Sequence, residues 1–422
     1  MKKTKRKAKC SNRPNRRHTT VLRQLVELIP AYLVPALARA HGIDMQARTF
    51  SAWSHVVAML YAQVSRSMGL NDVCDALKFH ISDLFAMRAA RAPAHNTLSH
   101  ANKTRDSSMA EQLFWSVLKH LQSQWPAFAR GCCPKKLWRM RRAIHVVDST
   151  TVRLVVSCIN WAKHRTRKAA AKLHTRISLQ SFLPAFVIIG AGAEHDSVRA
   201  PALCAALKEG EVVLFDKAYV HFKHLFDLAV RGVFFVTREK TNLKIKRVKK
   251  LPRPKDKRIL RDELVVLRGV RTSRDYPQTL RRVRALVEVD GQQREMVFLT
   301  NNLEWSAVTI CELYRARWQI EVFFKQLKQT VQLVDFMGNS ANAVKWQIWT
   351  ALLTHLLLRY LAWQSGWEQS FSRLGNNVRA AMWLKIDLNE MLARYGTAGG
   401  AYRSMWRAEP GWLPGFEPPA MG

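Results

Sequence analysis

Across residues 21–130 the apolar positions recur at three- and four-residue spacings, most regularly over 53–64 and 109–121, and no strand-like alternation interrupts them. This pattern predicts an all-helical N-terminal region. Within it residues 70–79 and 97–105 read as two short helices. Asn96 would cap the second, which carries His100, Lys103 and Arg105. The pair has the look of a helix-turn-helix; a plain helical bundle with a basic outer face fits the same pattern.

Beyond a basic linker at 132–142 the periodicity changes. Residues 143–147, 152–157, 173–179 and 186–189 are short apolar or alternating runs with β-branched residues, as expected of strands. Residues 201–208 then read as a helix, 211–215 as a buried strand, and 233–237 as another strand after an intervening helix, which is an α/β order. The chain becomes strongly basic over 240–261. It then shows two alternating runs, 280–289 and 295–299, around an Asp290-Gly291 turn, the grammar of a β-hairpin. From residue 306 helices return. The apolar stretch 348–363 contains His355 and Arg359 and is shorter than the ~20 residues a membrane span needs, so it is expected to be a buried helix. The expected division is a basic arm over 1–20, a helical DNA-binding domain over 21–135, an α/β core over 136–237 and 301–365, a β-rich insertion over 238–300 and a helical tail over 366–422.

Composition sharpens this picture. At 422 residues the chain exceeds the size of a single ordinary core, and 48% hydrophobic residues with 14 tryptophans exclude a disordered protein. Lys and Arg number 68 against 31 Asp and Glu, a formal +37, which calls for a polyanionic partner. A DNA backbone fits, because each neutralised phosphate releases condensed counterions; a ribosome-like structural role or an acidic membrane surface would use the same charge. The seven cysteines have no CxxC spacing, which argues against zinc or redox motifs and for reduced thiols in the cytoplasm. Residues 1–17 are basic with no apolar run behind them, so the expectation is a DNA-touching arm and not a signal peptide or membrane anchor.

Asp148 follows one apolar strand and precedes Ser149-Thr150; Asp216 follows another and precedes Lys217-Ala218-Tyr219. Side chains at strand ends of an open α/β sheet are where ligands gather, although Asp is also an ordinary turn former there. The segment YRARWQIEVFFKQLKQ carries Tyr314, Arg317, Glu321 and Lys328. At 3.6 residues per turn the other three fall within ~40° of Glu321, forming one stripe. Routine i,i+4 pairing explains Arg317 and Glu321 but not Tyr314 or Lys328. His221 and His224 lack metal partners at useful spacing and read as surface residues of a helix; His195-Asp196 receives no role.

The series Tyr, two residues, Arg, three residues, Glu, six residues, Lys resembles the signature of the IS-four family of insertion-sequence DDE transposases. Asp148-Ser149-Thr150 and Asp216-Lys217-Ala218-Tyr219 resemble that family's two aspartate motifs, in the right order, over residues 144–333. The resemblance implies an RNase H-like core with a β-rich insertion. It implies Asp148, Asp216 and Glu321 as catalytic ligands of two Mg²⁺ ions, for which Mn²⁺ can substitute. Tyr314, Arg317, Lys328, Lys217 and Tyr219 would be DNA contacts. The implied reaction is water attack at the element's ends, then attack of the freed 3′-hydroxyl on target DNA. The implied partners are double-stranded DNA, as terminal repeats and target, and a second copy of the chain. Relatives that pass through a hairpin stack an aromatic of the insertion on a flipped base; residues 238–300 contain no tryptophan and one tyrosine, Tyr276, with Trp305 just beyond. The alternatives are a transposase-derived DNA-binding protein without catalysis and a structural protein that uses only its positive field.

Overall fold

The computed structural model describes residues 19–43, 49–130, 137, 140–154, 163–165, 168–252, 254–289, 292–331 and 336–395. The arm over 1–18, most of the linker at 132–142, the Asp290-Gly291 turn and residues 396–422 lie outside them.

The N-terminal region is all helical, as its periodicity predicts: α1 (Val21–Val26), α2 (Leu33–Ala40), α3 (Ala52–Ser65), α4 (Leu70–Lys78), α5 (Ile81–Phe85), α6 (His95–Thr104) and α7 (Ser108–Gln124). Ser51 caps α3 by accepting the Ser54 amide, and α3 is buried from Ala52 to Val64. The helix-turn-helix reading fails in detail. α5 intervenes between α4 and α6, and α6 begins at His95 with Ala94, not Asn96, at its cap. Arg105 is not offered to a partner either. Its guanidinium donates to the carbonyls of Phe50 and Ser51 and lies over the Phe50 ring, pinning the start of α3.

The sheet comprises β1 (Ile144–Leu154), β2 (Lys163–Arg165), β3 (Lys168–Ser178), β4 (Leu183–Ala191), β5 (Val212–Phe215), β6 (Phe234–Arg238), β7 (Ile245–Lys250), β8 (Ile259–Leu267), β9 (Leu280–Val289) and β10 (Gln292–Thr300). Helices α8 (Asp196–Cys204), α9 (Phe222–Val230) and α10 (Val270–Asp275) connect them. β3 runs antiparallel to β1 and β4 antiparallel to β3, while β5 and β6 continue on the other side of β1, parallel to it and to each other. The order β4-β3-β1-β5-β6 is that of an RNase H-like core. β10 pairs antiparallel with β6, so the hairpin β9-β10 and then β8 and β7 extend the same sheet. Charges are buried within this extension: Arg281 pairs with Asp262 at 2.7 Å, and Arg282 with Glu263 at 2.7 Å and Glu239 at 2.8 Å.

Alternation along the strands sorts side chains onto two faces. Val146, Leu214, Val236 and Phe298 face one apolar core, and Val147, Val213, Phe215 and Phe235 face the other, beneath α8 and α9. The first core is covered by α11 (Ala307–Ala316), α12 (Trp318–Thr330), α13 (Ala341–Gln364), α14 (Phe371–Ala380) and α15 (Leu388–Tyr395), and it is continuous with the N-terminal helices. α13 is the expected buried helix and packs on α3, α6 and α7. The two ends of the described chain meet: Val21 and Leu22 donate to the carbonyls of Leu384 and Met382 at 3.0 and 2.9 Å, and Gln24 bonds to Ile386 and Leu388. No helix among the described residues is long and apolar enough to cross a membrane.

Candidate active site

Asp148 does not close its strand. β1 runs on to Leu154 because β3 keeps pairing with it, from Asp148 opposite Thr175 to Leu154 opposite Ala169. Its alternation places Asp148 and Thr150 on the Val146 face, toward α12, and Ser149 on the opposite face with Val147. Asp216 does follow the end of β5 and begins a short turn of 3-10 helix, Lys217–Tyr219. Glu321 lies in the first turn of α12. Arg317 joins α11 to α12 with helical angles, φ −54° and ψ −33°, so the Tyr314–Lys328 stripe is kept across the junction.

This stripe meets both aspartates. The Arg317 guanidinium donates to Asp148 Oδ2 at 3.0 Å and to Glu321 Oε1 at 2.6 Å. The Tyr314 hydroxyl donates to Asp216 Oδ1 at 3.3 Å, and the Arg317 guanidinium lies over the Tyr314 ring. Asp148, Ser149, Thr150 and Glu321, with Phe324, Lys325, Lys328 and Gln329, line an open cleft of about 480 Å³; Asp216 is not on that lining. Burial pushes the Asp148 carboxyl up to about 6, and the charges of Asp216 and Glu321 add to this against the pull of the Ser149 amide and Arg317. Burial also raises the Tyr314 hydroxyl to about 12 and lowers Lys328, which feels Arg153 as well.

Among the described residues no group of three or more His, Cys, Asp or Glu closes around an ion by itself. Arg317 is the cation that now links Asp148 to Glu321. The donor chemistry nevertheless fits a hard divalent cation. All three ligands would be carboxylates, two of them open to one cleft, and Asp148 resists ionisation in the way that added positive charge relieves.

Lys217 is exposed, as a DNA contact must be. Tyr219 is not: it is 1% exposed, sits in the core under α8 and α9, and turns its hydroxyl toward His174. Its proposed contact with DNA is therefore corrected to a packing role. Tyr276 is likewise 1% exposed and enclosed by Phe226 and Phe235, so it offers no free ring to a base, while the part-buried Trp305 packs on Phe234. His221 is exposed, but His224 is buried edge-on to Phe215 and burial lowers it to about 4, contrary to its reading as a surface residue. Two polar residues were missed. Lys325, one turn beyond Glu321, had a legible signal in its i,i+4 spacing and lines the cleft. Asp196 had none, because its partners come from two other segments, Ser149 on β1 and Lys172 and His174 on β3, with Tyr219 behind.

Asp148, Asp216 and Glu321 thus approach one another on an RNase H-like sheet, beside a lysine-lined cleft in a strongly basic chain. Residues 140–357, just over half of the chain, match the model of the transposase DDE domain family, and the chain belongs to that family. Residues 17–87 match a domain of unknown function, DUF4372. A probable transposase for insertion sequence element IS5377 from Geobacillus stearothermophilus is 25% identical over 346 residues, covering 82% of this chain and 85% of that one. The putative transposase y4zB of Sinorhizobium fredii is 29% identical over 275 residues, 64% of this chain and 72% of its own. Among solved structures, a piggyBac transposase synaptic complex with hairpin DNA aligns with TM-score 0.41 and 10% identity over 90% of this chain and 80% of that one. The protein is thus a transposase, an enzyme of DNA transposition, and its family uses divalent metal ions.

Proposed function

We propose that the chain cuts DNA at the ends of an insertion sequence of the IS-four group and joins the freed 3′-hydroxyl to target DNA, acting as a homodimer. Asp148, Asp216 and Glu321 are its catalytic carboxylates and would hold two Mg²⁺ ions, or Mn²⁺ in their place. The observation that supports this most is the bridging of all three by one helical stripe, through Arg317 to Asp148 and Glu321 and through Tyr314 to Asp216. When bound, such ions supply charge that activates the attacking oxygen and steadies the leaving one.

The chain's own residues have separate tasks. Tyr314 holds the Asp216 carboxylate in place by its hydroxyl. Arg317 presents a planar fork that suits a phosphate as well as a carboxylate, so a strand entering the cleft competes with Asp148 and Glu321 for it. Lys325 and Lys328 line the cleft and would neutralise the strand flanking the scissile bond, with Lys217 as a further contact at the Asp216 turn. Lys328, made a weaker base by burial and by the charge of Arg153, faces the same cleft.

The test is incubation of the full chain with a linear duplex carrying the DNA that flanks its reading frame, with and without Mg²⁺, beside Asp216→Ala. Metal-dependent nicking by the wild type and none by the variant is expected. Equal nicking by both removes the mechanism, and binding without nicking by either leaves a DNA-binding protein.

A further inference from the structure

We propose that Asp196 is a positioning residue of the active site, acting from behind the sheet through Ser149 on the catalytic Asp148; this rests on the triad assigned above. Asp196 opens α8, which packs against β1, β3 and the turn after Asp216. Its Oδ1 accepts the Ser149 hydroxyl at 2.6 Å and the Lys172 ammonium at 2.9 Å, and lies 3.5 Å from His174 Nδ1. His174 Nδ1 is in turn 3.3 Å from the Tyr219 hydroxyl. One carboxylate therefore gathers the strand that carries Asp148, its neighbour β3, and the turn that follows Asp216.

The arrangement cannot serve the reacting atoms directly. Ser149 and Asp148 are successive residues of a strand, so their side chains leave opposite faces, and Asp196 stands on the face away from Glu321 and Arg317. Its route to the site is through the backbone. The Ser149 amide donates to Asp148 Oδ1 at 2.8 Å, and the Ser149 hydroxyl anchors that residue to Asp196. Ser149 is directly opposite His174 in the β1-β3 register, and Thr151 is opposite Lys172, so the two donors to Asp196, Ser149 and Lys172, and the neighbouring His174 come from adjacent positions of one antiparallel pair. A carboxylate held to its direction by a neighbouring amide keeps its lone pairs aimed, and loss of such outer support commonly costs roughly ten- to hundredfold in activity.

The experiment compares Ser149→Ala, Ser149→Thr, Asp196→Ala and the Ser149→Ala/Asp196→Ala double variant in Mg²⁺-dependent nicking of the flanking-DNA duplex, with wild type and Asp148→Asn as references. Ser149→Ala and Asp196→Ala should each lower kcat on the order of tenfold with the KM for DNA unchanged. The double variant should be no worse than the poorer single one, and Ser149→Thr, which keeps the hydroxyl, should recover most of the rate. Asp196→Ala leaves Lys172 without its carboxylate and can fail to fold; Ser149→Ala, which removes one hydroxyl, then carries the test alone together with its Thr rescue. Wild-type rates in Ser149→Ala, equal defects in Ala and Thr, or losses that multiply in the double variant overturn the inference while the triad stands. Nicking by Asp148→Asn as fast as wild type overturns the triad and this inference with it.

Discussion

Replacing Asp148 by Asn should make the protein more stable in the absence of divalent ions. The Asp148 carboxyl is raised from 3.8 to about 6, first by burial and then by Asp216 and Glu321. A group whose folded pKa lies above its unfolded value contributes stability below the unfolded value and loses it as pH rises through the folded one. The loss here spans about pH 4 to 6 and comes to about 3 kcal/mol at neutral pH, at 1.36 kcal/mol per pH unit. The pull of Arg317 is already within that balance. Its side chain is 13% exposed, keeps Glu321, and loses one carboxylate in the variant. The net gain expected is therefore about 1 to 3 kcal/mol. Urea denaturation in EDTA at pH 4 and pH 7.5 measures it. The variant should gain on the wild type between the two pH values, and added Mg²⁺ should stabilise the wild type more. A variant less stable than wild type at pH 7.5, with the same pH dependence, refutes the reasoning.

Three further outcomes follow from packing and charge. Asp262→Ala strands the Arg281 guanidinium in the interior of the β8-β9 pair and should cost about 3 to 5 kcal/mol, seen as a lower denaturation midpoint. Gly375→Ala on α14 drives a methyl into Thr330 Cγ2 at the end of α12, so about 1 to 3 kcal/mol of stability should be lost as the helices part. Lys246→Ala with Lys249→Ala on the exposed β7 should weaken duplex DNA binding and reduce the slope of log K against log salt by about 2, measured by fluorescence anisotropy; an unchanged slope would place DNA elsewhere.

Legibility in the sequence followed the physical origin of each signal. Buried strands such as β5, VVLF, and the long α13 announce themselves because burial on every side leaves mostly apolar residues, with only a few polar ones such as His355 among them. The Tyr314–Lys328 stripe was readable because helical geometry is local, and it survives the junction at Arg317. β7 and β8 were hidden for opposite reasons. β7 is an exposed edge strand written almost entirely in Lys and Arg, and β8 buries Asp262 and Glu263 as ion pairs with β9, which spoils its apolar alternation. β1 was split at Asp148-Ser149-Thr150 because polar residues in mid-strand look like an ending; only pairing with β3 keeps the strand going. Tyr219 and Asp196 needed the third dimension, since one is buried by helices distant in sequence and the other draws its partners from β1 and β3.

The central claim is that three carboxylates from β1, the end of β5 and α12 hold divalent ions against the scissile phosphate. A crystal of the full chain with flanking duplex DNA and Mn²⁺, inactivated by a 3′-deoxy end, tests it through the anomalous signal of the metal. Peaks touching oxygens of Asp148, Asp216 and Glu321, with Arg317 moved to a phosphate, are the predicted result. Mn²⁺ bound elsewhere while Arg317 still bridges Asp148 and Glu321 over DNA in the cleft would contradict it.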